Sequence, residues 1–273
     1  MKRIFETILM FSLAASLTAL VAAPPAGAGK GRLFPMLRDG DEIRCAGEYA
    51  GHVQGIATDG NTLYWSFTNT VVRTDLNGRV LAKYALSGHG GDPCFAAGKL
   101  YVPVGSRFNQ EPRKKNRPEN FVQILSPGLK PLNAVPLVNF KYGAGGIACR
   151  NGHFFVVGGR PSGRPGNTIH EYDANFKPLR SHDINFDSES GIQTINFTPE
   201  GRCLIGCYGV GNFATELDGK WRVVRRPRPN VALGVIPLGG ELYLIARSIP
   251  AAGGRTRAMA KVYQLKSAFA PAK

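Results

Sequence analysis

The chain has 273 residues, 43% of them hydrophobic, with 34 glycines, 19 prolines and a formal charge of +15 from 34 basic and 19 acidic side chains. No stretch sustains a helical period of apolar residues, which excludes a helical bundle, and no apolar run after the N-terminus approaches the ~20 residues with which a helix spans a bilayer, which excludes a helical multispan membrane protein. The positive field attracts anionic partners, but no recognition helix or base-stacking motif accompanies it, so nucleic acid is a poor expectation.

Residues 1–28 read as an export signal: Lys2 and Arg3, then the apolar stretch Thr7 to Ala23, then the small residues Ala26-Gly27-Ala28. Cleavage after Ala28 leaves one domain, 29–273, secreted or periplasmic and without a transmembrane segment. The rival is an uncleaved anchor. The apolar stretch lies at the short end for spanning and small residues follow it directly, which favours cleavage.

Glu42 to Ala50 reads as a single strand with no hairpin partner. A unit then recurs five times, each a glycine-containing segment, a turn at a glycine and an apolar strand. The first runs from Gln54-Gly55-Ile56 through Asp59-Gly60 to Leu63-Tyr64-Trp65, and the second from Gly91-Asp92 through Gly98 to Leu100-Tyr101-Val102. The third joins Gly146-Ile147 through Asn151-Gly152 to Phe154-Phe155-Val156, and the fourth joins Gly191-Ile192-Gln193-Thr194 through Glu200-Gly201 to Cys203-Leu204-Ile205. The fifth runs from Leu233-Gly234-Val235 through Gly240 to Leu242-Tyr243-Leu244.

A third strand, a tight turn and a fourth strand follow each hairpin, as at Val72-Arg73-Thr74 with Asn77-Gly78. The last unit lacks its fourth strand, because the chain ends soon after Lys261 to Leu265. The spare N-terminal strand matches that deficit. The expected fold is therefore all-β: a five-bladed β-propeller of four-stranded antiparallel blades, closed by the N-terminal strand pairing into the last blade. An irregular β-sandwich explains neither the repeat nor the matched surplus and deficit.

Five cysteines (Cys45, Cys94, Cys149, Cys203 and Cys207) leave at least one unpaired, and their spacing matches no zinc site. Cys203 and Cys207 lie four apart on one strand, about 13 Å between Cα atoms, too far to bond each other. The sequence leaves the remaining pairing open.

In a propeller the segments that begin the innermost strands converge on one mouth. Here they bring His52 and Gln54, His89 and Asp92, Tyr142 to Gly146, Ser190 to Thr194, and Asn230 to Gly234. His89 and Asp92 are the candidate acid/base pair or ligands of one divalent metal ion, with His52 and Gln193 assisting. Holding loop backbone by hydrogen bonds is the equal competing role for His89 and Asp92. Gln54, Gly145, Gly146, Thr194 and Tyr208 are candidate ligand-binding positions, the glycines because bare backbone can approach an anion; tight packing at the narrow axis is their plainer role. Cys207 has no activating base nearby in sequence and reads as a packing thiol. Two insertions, Gly105 to Asn120 and Arg160 to Asn167, are the connections expected to shape a binding face and add Asn109, Arg160 and Arg164; solvated loops are their plainer role. Basic side chains cluster at Arg113, Lys114, Lys115 and Arg117, and again at Arg222, Arg225, Arg226 and Arg228.

In these stretches the chain resembles a family of uncharacterised secreted bacterial β-propeller proteins. The resemblance rests on Gln54-Gly55 with Tyr64-Trp65-Ser66, His89 to Asp92 with Leu100-Tyr101-Val102, Gly143 to Ile147 with Phe154 to Gly159, Glu171-Tyr172-Asp173, and Gly191 to Thr194 with Gly206 to Gly209. It implies the fold and brings no activity with it. More distantly the chain is similar to NHL-type propellers and to calcium-dependent sugar lactonases, which implies a carboxylate-rich metal centre. Asp92 and the neighbouring amides do not reproduce that set of Glu, Asn and Asp. No quinone or nicotinamide signature is present.

Two functional readings stay open at this point. One is a binding module for an anionic or carbohydrate ligand, or for a cell-envelope partner. The other is a metal-assisted hydrolase or lyase acting on a sugar or lactone at the mouth, with His89 and Asp92 at its centre.

Overall fold

The computed structural model describes residues 37–105, 120–138, 140, 142–160, 165–239 and 242–264. The export signal expected at 1–28, Arg107, Asn109, the basic group at Arg113, Lys114, Lys115 and Arg117, and Arg164 lie outside the described residues.

Strand β1 (Glu42–Ala50) precedes the first blade, formed by β2 (Val53–Thr58), β3 (Leu63–Phe67), β4 (Thr70–Thr74) and β5 (Val80–Ala85). Blade 2 holds β6 (His89–Gly90), β7 (Cys94–Ala96), β8 (Lys99–Gly105), β9 (Phe121–Leu125) and β10 (Pro131–Pro136). Blade 3 is β11 (Ala144–Arg150), β12 (His153–Gly158), β13 (Asn167–Tyr172) and β14 (Pro178–Ile184). Blade 4 is β15 (Ile192–Phe197), β16 (Cys203–Cys207), β17 (Thr215–Leu217) and β18 (Val223–Arg225). Blade 5 has β19 (Val235–Gly239), β20 (Leu242–Pro250) and β21 (Arg255–Gln264), with β1 as its fourth and outermost strand. The protein is thus a five-bladed β-propeller closed by its N-terminal strand.

That closure is built by alternation. Ile43, Cys45 and Tyr49 of β1 point inward while Glu42, Arg44 and Glu48 face out. Glu42 stands opposite Lys261 and Ala50 opposite Arg255, and Asp41 and Gly40 exchange backbone bonds of 2.9 and 3.0 Å with Val262. The inward side chains join Trp65, Phe67 and Leu244 in one apolar cluster, where Tyr49 stacks on Phe67 at 4.2 Å between ring centres.

Among the described residues the apolar core divides into five such clusters, which lie where neighbouring blades face each other. Each fully buried large side chain contributes about 1.5–3 kcal/mol, so stability is spread around the ring. The outermost strands β10 and β14 are largely exposed and carry Pro131, Pro136, Pro178 and Arg180, which discourage pairing with another chain. All five cysteines are free thiols, and Cys203 and Cys207 sit at the two ends of β16.

Blade 2 departs from a regular blade. Its innermost strand splits into β6 and β7, because Pro93 has no N–H to give and Asp92 turns aside to pair with blade 3. Asp92 N donates to Gly145 O at 2.7 Å, and Ile147 N donates to Asp92 O at 3.0 Å.

Candidate functional site

The second strand of each blade returns to where the first began. Val53 pairs with Phe67, His89 with Gly105, Ala144 with Gly158, Ile192 with Cys207 and Val235 with Ile245. The starts of the inner strands and the connections leaving the second strands therefore share one face. His52, Gln54, His89, Asp92, Gly145, Gly146, Arg160, Gln193, Thr194 and Tyr208 all belong to it or to the axis just beneath.

The axis is filled, and Asp92 is its plug. Its side chain is completely buried, and Oδ1 accepts the Ile56 amide of blade 1 at 3.1 Å. Gly55 lies so close that a Cβ there would meet Asp92 itself. Burial pushes the Asp92 carboxyl well above the ordinary aspartate range, against the opposing pull of the Ile56 and Ile195 amides. Gly145 and Gly146 pack on the backbone of Ile192, Gln193 and Thr194, where a Cβ would collide. Thr194 Oγ1 donates to Val231 O at 2.9 Å, and Gln193 Nε2 donates to Ser190 O at 3.2 Å; both side chains are buried. The blades are thereby tied at the centre by one carboxyl, one hydroxyl and close glycine contacts, while the Gln193 amide holds its own loop.

Above this floor, His52 Nε2 lies 3.1 Å from Tyr208 Oη and 3.0 Å from Gln54 Nε2. The first contact crosses the mouth from blade 1 to blade 4. Burial lowers the His52 pKa and raises that of Tyr208 to about 12. At neutral pH the pair is therefore an uncharged imidazole and an un-ionised phenol. Cys207 is buried, and its burial lifts the thiol to about 12, which leaves no nucleophilic thiolate.

His89 sits on β6, and the Asp92 carboxyl bonds the Ile56 amide rather than the imidazole. Among the described residues no group of three or more His, Cys, Asp or Glu side chains is arranged to hold a metal ion. A carboxyl buried under glycine backbone with one histidine nearby does not fit a divalent cation, which takes more ligands and an accessible position.

A cavity of about 180 Å³ opens beside the mouth, on blade 3. Phe140, Tyr142, Arg160, Asn167, Thr168 and His170 line it, with the backbone of Gly158 and Gly159. Arg160 is anchored through its backbone, N to Ser190 O at 3.1 Å, and leaves its side chain to the cavity. Its buried Nε has no hydrogen-bond partner, and no acidic side chain pairs with it among the described residues. A guanidinium left this way is costly unless something else meets it.

The other lining groups are held in place by their own bonds. Asn167 Nδ2 donates to Phe186 O and Asn167 Oδ1 accepts Ser188 Oγ, while Thr168 Oγ1 donates to Asp183 Oδ1 at 3.0 Å. His170 Nδ1 meets Ser181 Oγ at 3.0 Å, and its ring lies 4.7 Å from that of Phe140. Burial lowers the His170 pKa, partly opposed by Asp183, so Arg160 is the cavity's charge at neutral pH. Arg160 was an expected binding residue, marked by its insertion. Asn167 closes the same insertion, whereas Phe140, Thr168 and His170 carried no comparable signal, the last two standing on a third strand that reads only as scaffold.

No protein-family model and no curated protein matches the sequence. Solved structures match by fold. Myxococcus xanthus glutaminyl cyclase superposes with a TM-score of 0.50 at 11% identity, over 86% of this chain and 100% of that one. A Bacteroides caccae protein of unknown function gives 0.48 at 15% identity, over 76% and 82% of the two chains. A luciferin-regenerating enzyme gives 0.47 at 11% identity, over 83% and 96%. Likeness at these identities concerns the propeller alone.

Proposed function

We propose that the protein is a binding module that takes a small carboxylate-bearing ligand, of the size of a sugar acid, in the blade 3 cavity. The observation that carries this reading is Arg160, a guanidinium without an acidic partner among the described residues, directed into a cavity walled by Phe140 and Tyr142. A planar guanidinium matches a carboxylate with two parallel hydrogen bonds, and aromatic walls suit the apolar face of a sugar ring. At about 180 Å³ the cavity is smaller than the ~300–1,000 Å³ of drug-sized sites, which limits the occupant to about one ring. The charge of +15 adds a general attraction for anions. An exported protein would meet such ligands in the cell envelope. The donor set at the mouth supplies no support for metal-assisted hydrolysis, since Asp92 is buried and His52 is paired to a phenol.

Isothermal titration with galacturonate and, as the uncharged control, galactose tests the proposal. One-to-one binding of the acid, absent for galactose and weakened at least tenfold by Arg160→Gln, is the expected result. Equal binding of both sugars, or an Arg160→Gln variant that binds as the parent does, refutes it.

A further inference from the structure

The four arginines near the end of blade 4 divide into two kinds. Arg222 and Arg225 are neutralised, by Asp218 at 2.7 Å and by Glu216 at 2.8 Å. Arg226 and Arg228 have no acidic partner among the described residues and are held instead by aromatic rings. Arg226 stands over Phe186 at 5.3 Å and over Phe213 at 5.2 Å, with one bond of 3.2 Å to Val210 O. Arg228 lies over Phe213 at 4.4 Å and is exposed, while Nε of Arg226 is buried without a hydrogen-bond partner. Stacking fixes a guanidinium in orientation without neutralising its charge, so both groups are presented to an anion.

These two arginines are continuous with the blade 3 cavity. β14 of blade 3 and β18 of blade 4 both end on the mouth face, which brings Phe186 and Arg226 together there. Asn167, which lines the cavity, is bonded to the backbone of Phe186, and the ring of that same residue supports Arg226. The order along the face is Arg160, Asn167, Phe186, Arg226, Phe213, Arg228. Cationic groups alternate along it with polar or aromatic ones.

We infer that this line is an extended subsite for an acidic polysaccharide, whose terminal uronate enters the cavity while the carboxylates of following sugars meet Arg226 and Arg228. The inference rests on the proposed carboxylate cavity and extends it from one sugar to a chain. A glycan is the occupant rather than a nucleic acid, because the line continues from a one-ring carboxylate cavity and no recognition helix or base-stacking motif accompanies the basic residues.

Titration calorimetry on the full-length protein at physiological salt, with galacturonate, tetragalacturonate and an oligothymidylate of eight nucleotides, tests this. The tetramer is expected to bind at least tenfold more tightly than the monomer. Arg226→Gln with Arg228→Gln should remove that advantage and leave the monomer's Kd within twofold. Arg228→Gln alone, at an exposed position, should remove part of it and serves if the double variant fails to fold. Unchanged tetramer affinity in these variants overturns the extended subsite while the cavity stands. A tetramer that depends on Arg226 and Arg228, beside a monomer that ignores Arg160→Gln, overturns the cavity and retains the arginine pair as an anion site. Oligothymidylate binding as tightly as the tetramer through the same arginines overturns the glycan assignment.

Discussion

Replacing Asp92 by asparagine and by alanine separates a structural carboxyl from a reactive one. Asparagine keeps an oxygen for the Ile56 amide and nearly the same volume, whereas alanine leaves that buried amide without its acceptor. An unsatisfied buried donor costs about 1–3 kcal/mol, and the lost packing against Gly55 adds about 1 kcal/mol. Asp92→Ala is therefore expected about 2–4 kcal/mol below Asp92→Asn at pH 7, or about 4–16 °C in Tm for a domain of this size. The wild type should fall with pH relative to the asparagine variant. A raised pKa means that the folded chain keeps a proton that the unfolded chain has lost above about pH 4. The stability from that proton is complete below pH 4 and declines as pH rises toward the folded value. Urea melts followed by the fluorescence of Trp65 and Trp221 at pH 4, 5.5 and 7 measure all three proteins. An asparagine variant more than 2 kcal/mol less stable than wild type at pH 7 would refute the argument, since it would mean that an ionised Asp92 is held by the amides around it.

Gly55→Ala should cost about 1–3 kcal/mol or more by overpacking Asp92, read as a lower urea midpoint; an unchanged midpoint would show that the axis can widen. Glu171 bonds His153 at 2.7 Å and His182 at 2.8 Å and pairs with Arg180. Burial works to raise its pKa, but these contacts outweigh it and hold the carboxyl below the ordinary glutamate range. Its stabilisation is present above the unfolded pKa of about 4.3 and is lost as pH falls through the folded value, so a Glu171→Gln deficit of about 1–3 kcal/mol at pH 6 should shrink toward pH 3. A deficit independent of pH would contradict that. A chain starting at Gly51 lacks β1 and should lose its cooperative thermal transition, which calorimetry would detect. The thiols of Cys45, Cys203 and Cys207 should react with a thiol reagent quickly only after denaturation, and fast labelling of more than the two half-buried thiols, Cys94 and Cys149, in the native protein would contradict that burial.

The blades were legible because their hairpin turns demand glycine. Gly60, Gly98, Gly152 and Gly201 all adopt positive φ, between 72° and 88°, and their recurrence marks the period. The surplus of β1 against the deficit after β21 was equally plain. The split in the inner strand of blade 2 was not, because it depends on backbone contacts between Asp92 and Gly145 to Ile147 that no local pattern encodes. For the site, chemistry alone nominated Asp92 as a reactive group, while its burial depends on Gly55 far away in sequence. Arg160 stood out by its place in an insertion. Thr168 and His170 did not, since which face of β13 meets a cavity follows from the neighbouring connection and not from their own strand. The basic cluster at 222–228 read as one patch; only the positions of Asp218, Glu216 and Phe213 divide it.

The pairing of β1 with β21 also sets a timetable. The ring cannot shut until the strand that ends at Gln264 has been synthesised, so a nascent chain without β21 keeps blade 5 incomplete and β1 without its partner. The final step joins the two ends of the sequence and bears the loop-closure entropy of nearly the whole chain, which makes it late and slow. Loss of a few residues before Gln264 should therefore resemble loss of β1, because either end can leave the latch undone.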